Sequence, residues 1–190
     1  YNLGKYPDHS EIYKYLSKHL NLKKENILLS SGIDGSLKTI FETMLKPRDK
    51  ISFLDPSYAM YSVFSKIYKI NTFKIKYNEN FKLDKKKLYD VIKKGLKILF
   101  IPNPNQPIED NFSINDLKKI CNFCRLHKCL VVIDEAYHMY GAVSAKGLCN
   151  IYDNLIVLRT FSKSFGLPSI RLGYIISNAQ IIRLLETNRL

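Results

Sequence analysis

The 190-residue chain contains no tryptophan, three methionines, eight glycines, seven prolines and four cysteines. Glycine and proline at these levels exclude a collagen-like repeat and a low-complexity linker. Nowhere do apolar residues run on for the ~18 positions that a membrane-spanning helix needs. Tyr1-Asn2-Leu3-Gly4 lacks the basic, apolar and small-residue regions of a secretory leader. Acidic residues are scarce as well: 17 Asp and Glu face 30 Lys and Arg, for a net charge of +13. Such a balance suits an anionic partner, whether nucleic acid, membrane surface or phosphate. Yet only six of the 30 are Arg, and Lys is dispersed along the chain, which reads as solvated surface. Hydrophobic residues at 46% and charged residues at 25% match an ordinary globular chain. At this length folding buries roughly 70% of the unfolded surface, enough for a real core.

Cys121 and Cys124 form a C-x-x-C, a spacing seen in zinc and redox sites. No second C-x-x-C or H-x-x-x-H completes a tetrahedral set. Leu117, Ile120, Cys121 and Cys124 instead recur at helical spacing, as an apolar stripe would. The expectation is core packing, with no metal. Absence of a disulfide framework fits a reducing, cytoplasmic compartment.

Hydrophobic periodicity alternates between helix and strand along the chain. Helices are expected over residues 10–19, 35–45, 60–67, 84–94 and 113–127. Strands are expected over residues 26–31, 51–55, 72–76, 98–101, 130–133, 155–158 and 173–176. Asp84 and Ser113 are candidate N-caps, and Asp116 supplies the acidic partner of a capping box. Strands apolar on both faces and separated by helices imply an α/β fold: a mostly parallel sheet with helices on both faces, in three layers. In such sheets ligands bind outside the carboxyl ends of the strands. The loops after the strands are therefore where chemistry is expected.

Those loops carry a consistent set. Gly32-Ile33-Asp34-Gly35 opens a helix and offers free backbone N–H groups to a phosphate. Tyr58, after Asp55-Pro56, presents a ring that can stack on a planar ligand. Asn103, Asn105 and Gln106 lie among prolines in a loop rich in amides. Asp134 ends an apolar strand, where a carboxylate is costly to bury unless it is paired, so it is expected to face a cation. Lys163 sits among Ser, Phe, Gly and Leu; partly withdrawn from water, such a Lys is a usable nucleophile for a carbonyl. Thr160, Ser162 and Arg171 flank it with phosphate-binding groups.

Together these pieces resemble the fold type I aminotransferases that use pyridoxal phosphate (PLP), nearest to the histidinol-phosphate aminotransferase branch. The signature S-K-x-[FY]-G-L-x-x-x-R-x-G-Y is matched throughout by residues 162–174. Asp134-Glu135-Ala136-Tyr137 matches the D-E-A-Y motif, and Lys5-Tyr6-Pro7-Asp8 resembles the R-Y-P-D entry to the large domain. The resemblance covers essentially the whole chain. It implies that Lys163 forms the internal aldimine and then moves the proton. It implies that Asp134 pairs with the pyridine nitrogen, that Tyr137 donates to the phenolate oxygen and that Tyr58 stacks on the ring. The backbone at Ile33 and Asp34, the hydroxyls of Thr160 and Ser162, and Arg171 would hold the phosphate. Tyr6 would reach the phosphate in the neighbouring subunit of a homodimer. One departure stands out: the family loop P-N-N-P-T-G reads Pro104-Asn105-Gln106-Pro107-Ile108-Glu109, placing Gln106 at the second Asn. No residue matches the substrate-binding Arg of the family's small C-terminal domain. By this resemblance residues 1–190 are the PLP-binding large domain of a longer protein, without its N-terminal arm.

The implied reaction is transfer of an amino group between an amino acid, such as glutamate, and a keto or aldehyde acceptor. Its substrates are small molecules, with no nucleic acid or membrane involved. Two alternatives stay open: a PLP-dependent lyase such as threonine-phosphate decarboxylase, and a non-catalytic basic scaffold that binds nucleic acid.

Overall fold

The computed structural model describes Gly4 and residues 8–187. Seven strands form one sheet: β1 (Ile27–Ser30), β2 (Lys50–Asp55), β3 (Asn71–Lys76), β4 (Ile98–Pro102), β5 (Leu130–Asp134), β6 (Leu155–Thr160) and β7 (Gly173–Ser177). Their order is β1-β7-β6-β5-β4-β2-β3. Strands β2 to β6 run parallel, whereas β7 is antiparallel to both β6 and β1. The cause is local. Parallel neighbours need a crossover element, and the segment 161–172 between β6 and β7 turns straight back without one. That returning segment carries Lys163.

Among the described residues six α-helices cover the sheet: α1 (Ser10–Leu20), α2 (Gly32–Met44), α3 (Met60–Ile67), α4 (Lys85–Ile92), α5 (Ile114–Leu126) and α6 (Ala179–Thr187). The period of two divides the strands' apolar residues between two cores. Leu99, Ile101, Val131, Ile133, Leu155 and Val157 join α1, α4 and α5 on one face. Ile98, Phe100, Val132, Ile156 and Leu158 join α2, α3 and α6 on the other. This double burial is why the central strands read as unbroken apolar runs. Cys121 and Cys124 lie at 0% exposure in the first core, and all four cysteines are free. The C-x-x-C is a packing stripe.

Local signals position the ends of these elements. Asp84 caps α4, accepting from the Lys86 N–H at 2.9 Å. Ser113 caps α5, accepting from the Asp116 N–H at 3.1 Å. Asp116 accepts from the Ser113 hydroxyl and pairs with Lys85 at 2.8 Å; Lys85, and after it the Ser113 hydroxyl and backbone N–H, hold its carboxyl below the usual range. Helix α2 begins at Gly32, a turn earlier than periodicity predicts. Gly32 has φ +69°, which lets the chain leave β1 and coil at once. Ile33 and Asp34 thereby fall in the first helical turn. Short 3₁₀ turns over His138–Tyr140 and Lys146–Asn150, which periodicity does not reveal, fold the segment after β5.

Gly173 marks the tightest junction, where β7, β6 and the start of α2 meet. A Cβ placed there would stand 2.7 Å from the Arg159 carbonyl oxygen and 2.9 Å from the Gly32 backbone. Backbone on both sides cannot move aside. Gly173→Ala should therefore lower stability by about 1–3 kcal/mol in a urea titration. Gly147→Ala, with nothing within 4 Å of the new methyl, should stay within about 0.5 kcal/mol of the parent.

Candidate active site

A cavity of about 380 Å³ opens at the carboxyl ends of the strands. Its lining includes Ile33, Asp34, Tyr58, Gln106, Asp134, Tyr137, Thr160, Ser162, Lys163 and Arg171. These are all the site residues expected from sequence except Tyr6, which lies outside the described residues. Segments far apart in the chain supply them: the first turn of α2, the loops after β2 and β4, the end of β5 and the loop after it, and the end of β6 with the β6–β7 segment.

Asp134 ends β5 and is 4% exposed. Tyr61 on α3 donates its hydroxyl to Oδ2 at 2.8 Å, and the Ala136 N–H donates to Oδ1 at 3.0 Å. Among the described residues no ion pair reaches Asp134. The side-chain cation at this strand end pairs with its neighbour. Glu135, 0% exposed, pairs with Arg159 of β6 at 2.8 Å and also accepts from the Ser144 hydroxyl and the Ala145 N–H. Adjacent side chains at a strand end point to opposite faces, so the two acids find different surroundings. Burial pushes the Asp134 carboxyl up to about 6, against the hydrogen bonds from Tyr61 and Ala136.

At the other end of the cavity stand Asp34, Tyr58 and Arg171. The Tyr58 hydroxyl donates to Asp34 Oδ1 at 2.6 Å, and Arg171 Nη2 lies 3.4 Å from Asp34 Oδ2. Burial, and then Asp34, hold the Tyr58 phenol well above its ordinary range. The guanidinium reaches over Gly32, where a Cβ would meet Nη2 at 3.2 Å. A side chain at position 32 would thus crowd the space between Arg171 and the start of α2. Ser57 Oγ and Ser162 Oγ are buried with no hydrogen-bond partner. The Thr160 hydroxyl is engaged: it donates to the Leu172 carbonyl at 3.3 Å and accepts from the Ser162 N–H at 3.1 Å. It shapes the turn that presents Ser162.

Lys163 lies with Nζ 5.1 Å from the centre of the Tyr137 ring. Contrary to the expectation of partial withdrawal from water, Lys163 is exposed. The segment 161–172 joins the ends of β6 and β7 at the mouth of the cavity, and Tyr137 is the ring against which the ammonium rests. Of the amides in the 103–106 loop, Asn103 and Asn105 are fully buried and hold backbone and Tyr77: Asn103 donates to Val143 O, Asn105 to Pro56 O and the Tyr77 hydroxyl, each at 3.0 Å. Gln106 is the amide that faces the cavity.

Sequence reasoning missed Ser57, Tyr61 and the Glu135–Arg159 pair. Tyr61 follows Tyr58 at helical spacing, and Arg159 is a lone charge in an apolar strand; both were usable signals.

A chain whose strand-end residues converge in this way belongs, by its family match, to the aminotransferase class I and II family, whose model covers residues 4–189. The family is PLP-dependent. Within it the chain is similar to a histidinol-phosphate aminotransferase of Buchnera aphidicola subsp. Cinara cedri, 38% identical over 97% of the chain and 53% of that relative. A relative of the same name from Clostridium novyi is 33% identical, over 93% of the chain and 49% of the relative. The chain therefore spans about half the length of the curated relatives it matches. Among solved structures, the histidinol-phosphate aminotransferase of Clostridium acetobutylicum superposes with TM-score 0.84 at 26% identity, over 100% of this chain and 57% of that one. The Sinorhizobium meliloti enzyme, solved in complex with pyridoxal-5'-phosphate, shares the fold with TM-score 0.86 at 22% identity, over 98% and 52% of the two chains.

The buried carboxyl makes a pH-dependent prediction. In the unfolded chain Asp134 has the ordinary value of 3.8; folding raises it to about 6. The native state holds more protons between these values, so stability falls as pH rises through that window and stays lowered above it. Asp134→Asn should remove this loss. Without added cofactor, its stability should exceed the parent's by about 2–3 kcal/mol at pH 7.5 and match it near pH 4. Urea midpoints at both pH values measure the difference.

Proposed function

We propose that the chain is the PLP-binding large domain of an aminotransferase that moves an amino group between an amino acid and a keto or aldehyde acceptor. The observation that carries this reading is one cavity that gathers a buried carboxylate from the end of β5 with a lysine amine and an arginine from the β6–β7 segment of a family member. The donor set fits PLP. Arg171, the partnerless Ser162 hydroxyl and the N–H groups opening α2 suit a phosphate, while Asp134 suits a ring nitrogen that must keep its proton. Bound PLP supplies an aldehyde for an amine to attack and a ring that accepts electrons from the substrate's Cα.

This chain's residues then divide the work. Lys163 Nζ would hold the cofactor and carry the proton at the substrate's Cα. Asp134 would keep the ring nitrogen protonated. Tyr137 and Gln106 would donate to the phenolate oxygen, and Tyr58 would stack on the ring. The backbone N–H groups of Ile33 and Asp34, with Thr160, Ser162 and Arg171, would hold the phosphate. In a homodimer, Tyr6 would serve the neighbouring subunit's phosphate. Glutamate is the proposed amino donor, and the name shared by the relatives makes histidinol phosphate the amino compound to test beside it. Four free, buried cysteines support a reducing, cytoplasmic setting. No helix among the described residues is long and apolar enough to cross a membrane.

The transaminase reading is favoured over the lyase because the relatives at 33–38% identity are named aminotransferases. The threonine-phosphate decarboxylase of Porphyromonas gingivalis shares the fold at 19% identity, TM-score 0.78. In the full-length protein, added PLP should give a visible absorbance band, and borohydride should fix its mass on Lys163. Lys163→Ala should lose both and drop turnover at least about 100-fold. Keto-acid formation without CO₂ release is the expected outcome; CO₂ release in its place would make the protein a lyase.

A further inference from the structure

The buried side of Asp134 is closed by one side chain that sequence reasoning passed over. Tyr61 is 0% exposed, and its hydroxyl lies 2.8 Å from Asp134 Oδ2. Its ring is fixed on several sides. It stacks on Phe100 at 5.2 Å, tilts against Phe53 at 5.7 Å and meets Tyr58 edge-on at 5.8 Å. Phe100 in turn stacks on Phe41 of α2 at 5.6 Å. Strands β2 and β4 and helix α2 therefore hold this phenol in place. A rigid phenol at this distance has one use for its proton, because the carboxylate is the acceptor before it.

We infer that Tyr61 is a positioning residue for Asp134: its hydroxyl fixes the carboxylate plane and favours the ionised acid, which in turn keeps a bound ring nitrogen protonated. The inference rests on the PLP reading proposed above. It adds a residue that touches neither PLP nor substrate and acts through Asp134. The groups facing Asp134 make the need plain. Tyr61 comes from α3 and the Ala136 N–H from the loop after β5. Glu135 and Asp34 add negative charge nearby, and Tyr58 stands behind Tyr61. Desolvation opposes ionisation most, and Glu135 and Asp34 oppose it further, while the cations Lys163 and Arg171 line the same cavity. Two hydrogen bonds favour it, from Tyr61 and Ala136. The backbone one is fixed by the fold, which leaves Tyr61 as the side chain that sets the balance.

Tyr61→Phe keeps the ring and removes the hydroxyl. Losing one hydrogen bond to a charged group shifts an equilibrium by about tenfold. In the protein without added cofactor, the Asp134 carboxyl, followed by carbon-13 NMR of labelled aspartate and assigned with Asp134→Asn, should titrate about one pH unit higher in Tyr61→Phe. In the PLP-loaded full-length enzyme, the pH midpoint of the visible band should move to higher pH. Turnover should fall about tenfold while KM for the amino substrate changes little. In an Asp134→Asn background, adding Tyr61→Phe should leave the band's pH midpoint where Asp134→Asn alone puts it. A purely structural Tyr61 would lower the urea midpoint and leave both titrations in place, and that result overturns the inference. A wild-type band whose midpoint Tyr61→Phe does not move sinks this inference alone. A wild-type protein that forms no band with PLP sinks the functional reading, and this inference with it.

Discussion

A carboxylate buried without a counter-ion is the constraint around which the cavity is organised. Asp134 sits at the end of a strand covered on both faces and is 4% exposed. The fold answers with a phenol and a peptide N–H, at 2.8 and 3.0 Å. Neither brings a full positive charge, and the acid stays hard to ionise. Such a site is poised to gain from a cationic ring placed beside it. A Lys or Arg in the same place would have satisfied the carboxylate in advance and left little for a ligand to gain.

Its neighbour shows the contrast. Glu135 points the other way and takes the Arg159 guanidinium at 2.8 Å, with 0% exposure. The pair ties β5 to β6 just before each releases its functional residues, Tyr137 on one side and Ser162 and Lys163 on the other. Adjacent acids in one motif thus have opposite duties. One is neutralised to hold the loops, and the other is left under tension toward the cavity. The basic surplus of +13 has a modest part in this. Lys163 and Arg171 are the Lys and Arg residues that line the cavity.

Much of this was legible in the chain itself. The unbroken apolar runs at 98–101, 130–133 and 155–158 announce strands buried on both faces, because a half-exposed strand would alternate. The caps at Asp84 and Ser113 form as side-chain chemistry dictates. The residues ending the strands were found one by one, since the chain folds so that those ends share an edge. What stayed hidden depended on which way a side chain turned. Of the two acids at the end of β5, the alternation of the strand gave Arg159 to Glu135 and turned Asp134 to the cavity. Lys163 was expected to be partly sheltered, but it is exposed. The resemblance singled out Gln106 among the three amides, and it does line the cavity, while the inward turn of Asn103 and Asn105 to staple the loop was not legible.

The sequence by itself determined the strands, most helix limits, the packing role of Cys121 and Cys124, and the set of residues that gather at one edge. Periodicity and capping are local, and local order is enough to carry them. Only the tertiary structure decided that β7 runs against its neighbours, that α2 begins at Gly32, and that Tyr61 stands behind Asp134. The first two follow from the short return 161–172 and the positive φ of Gly32, which periodicity does not report, and the third depends on a contact between segments far apart in the chain. Such contacts are chosen by which surfaces can be buried together, a property that no single stretch of sequence contains.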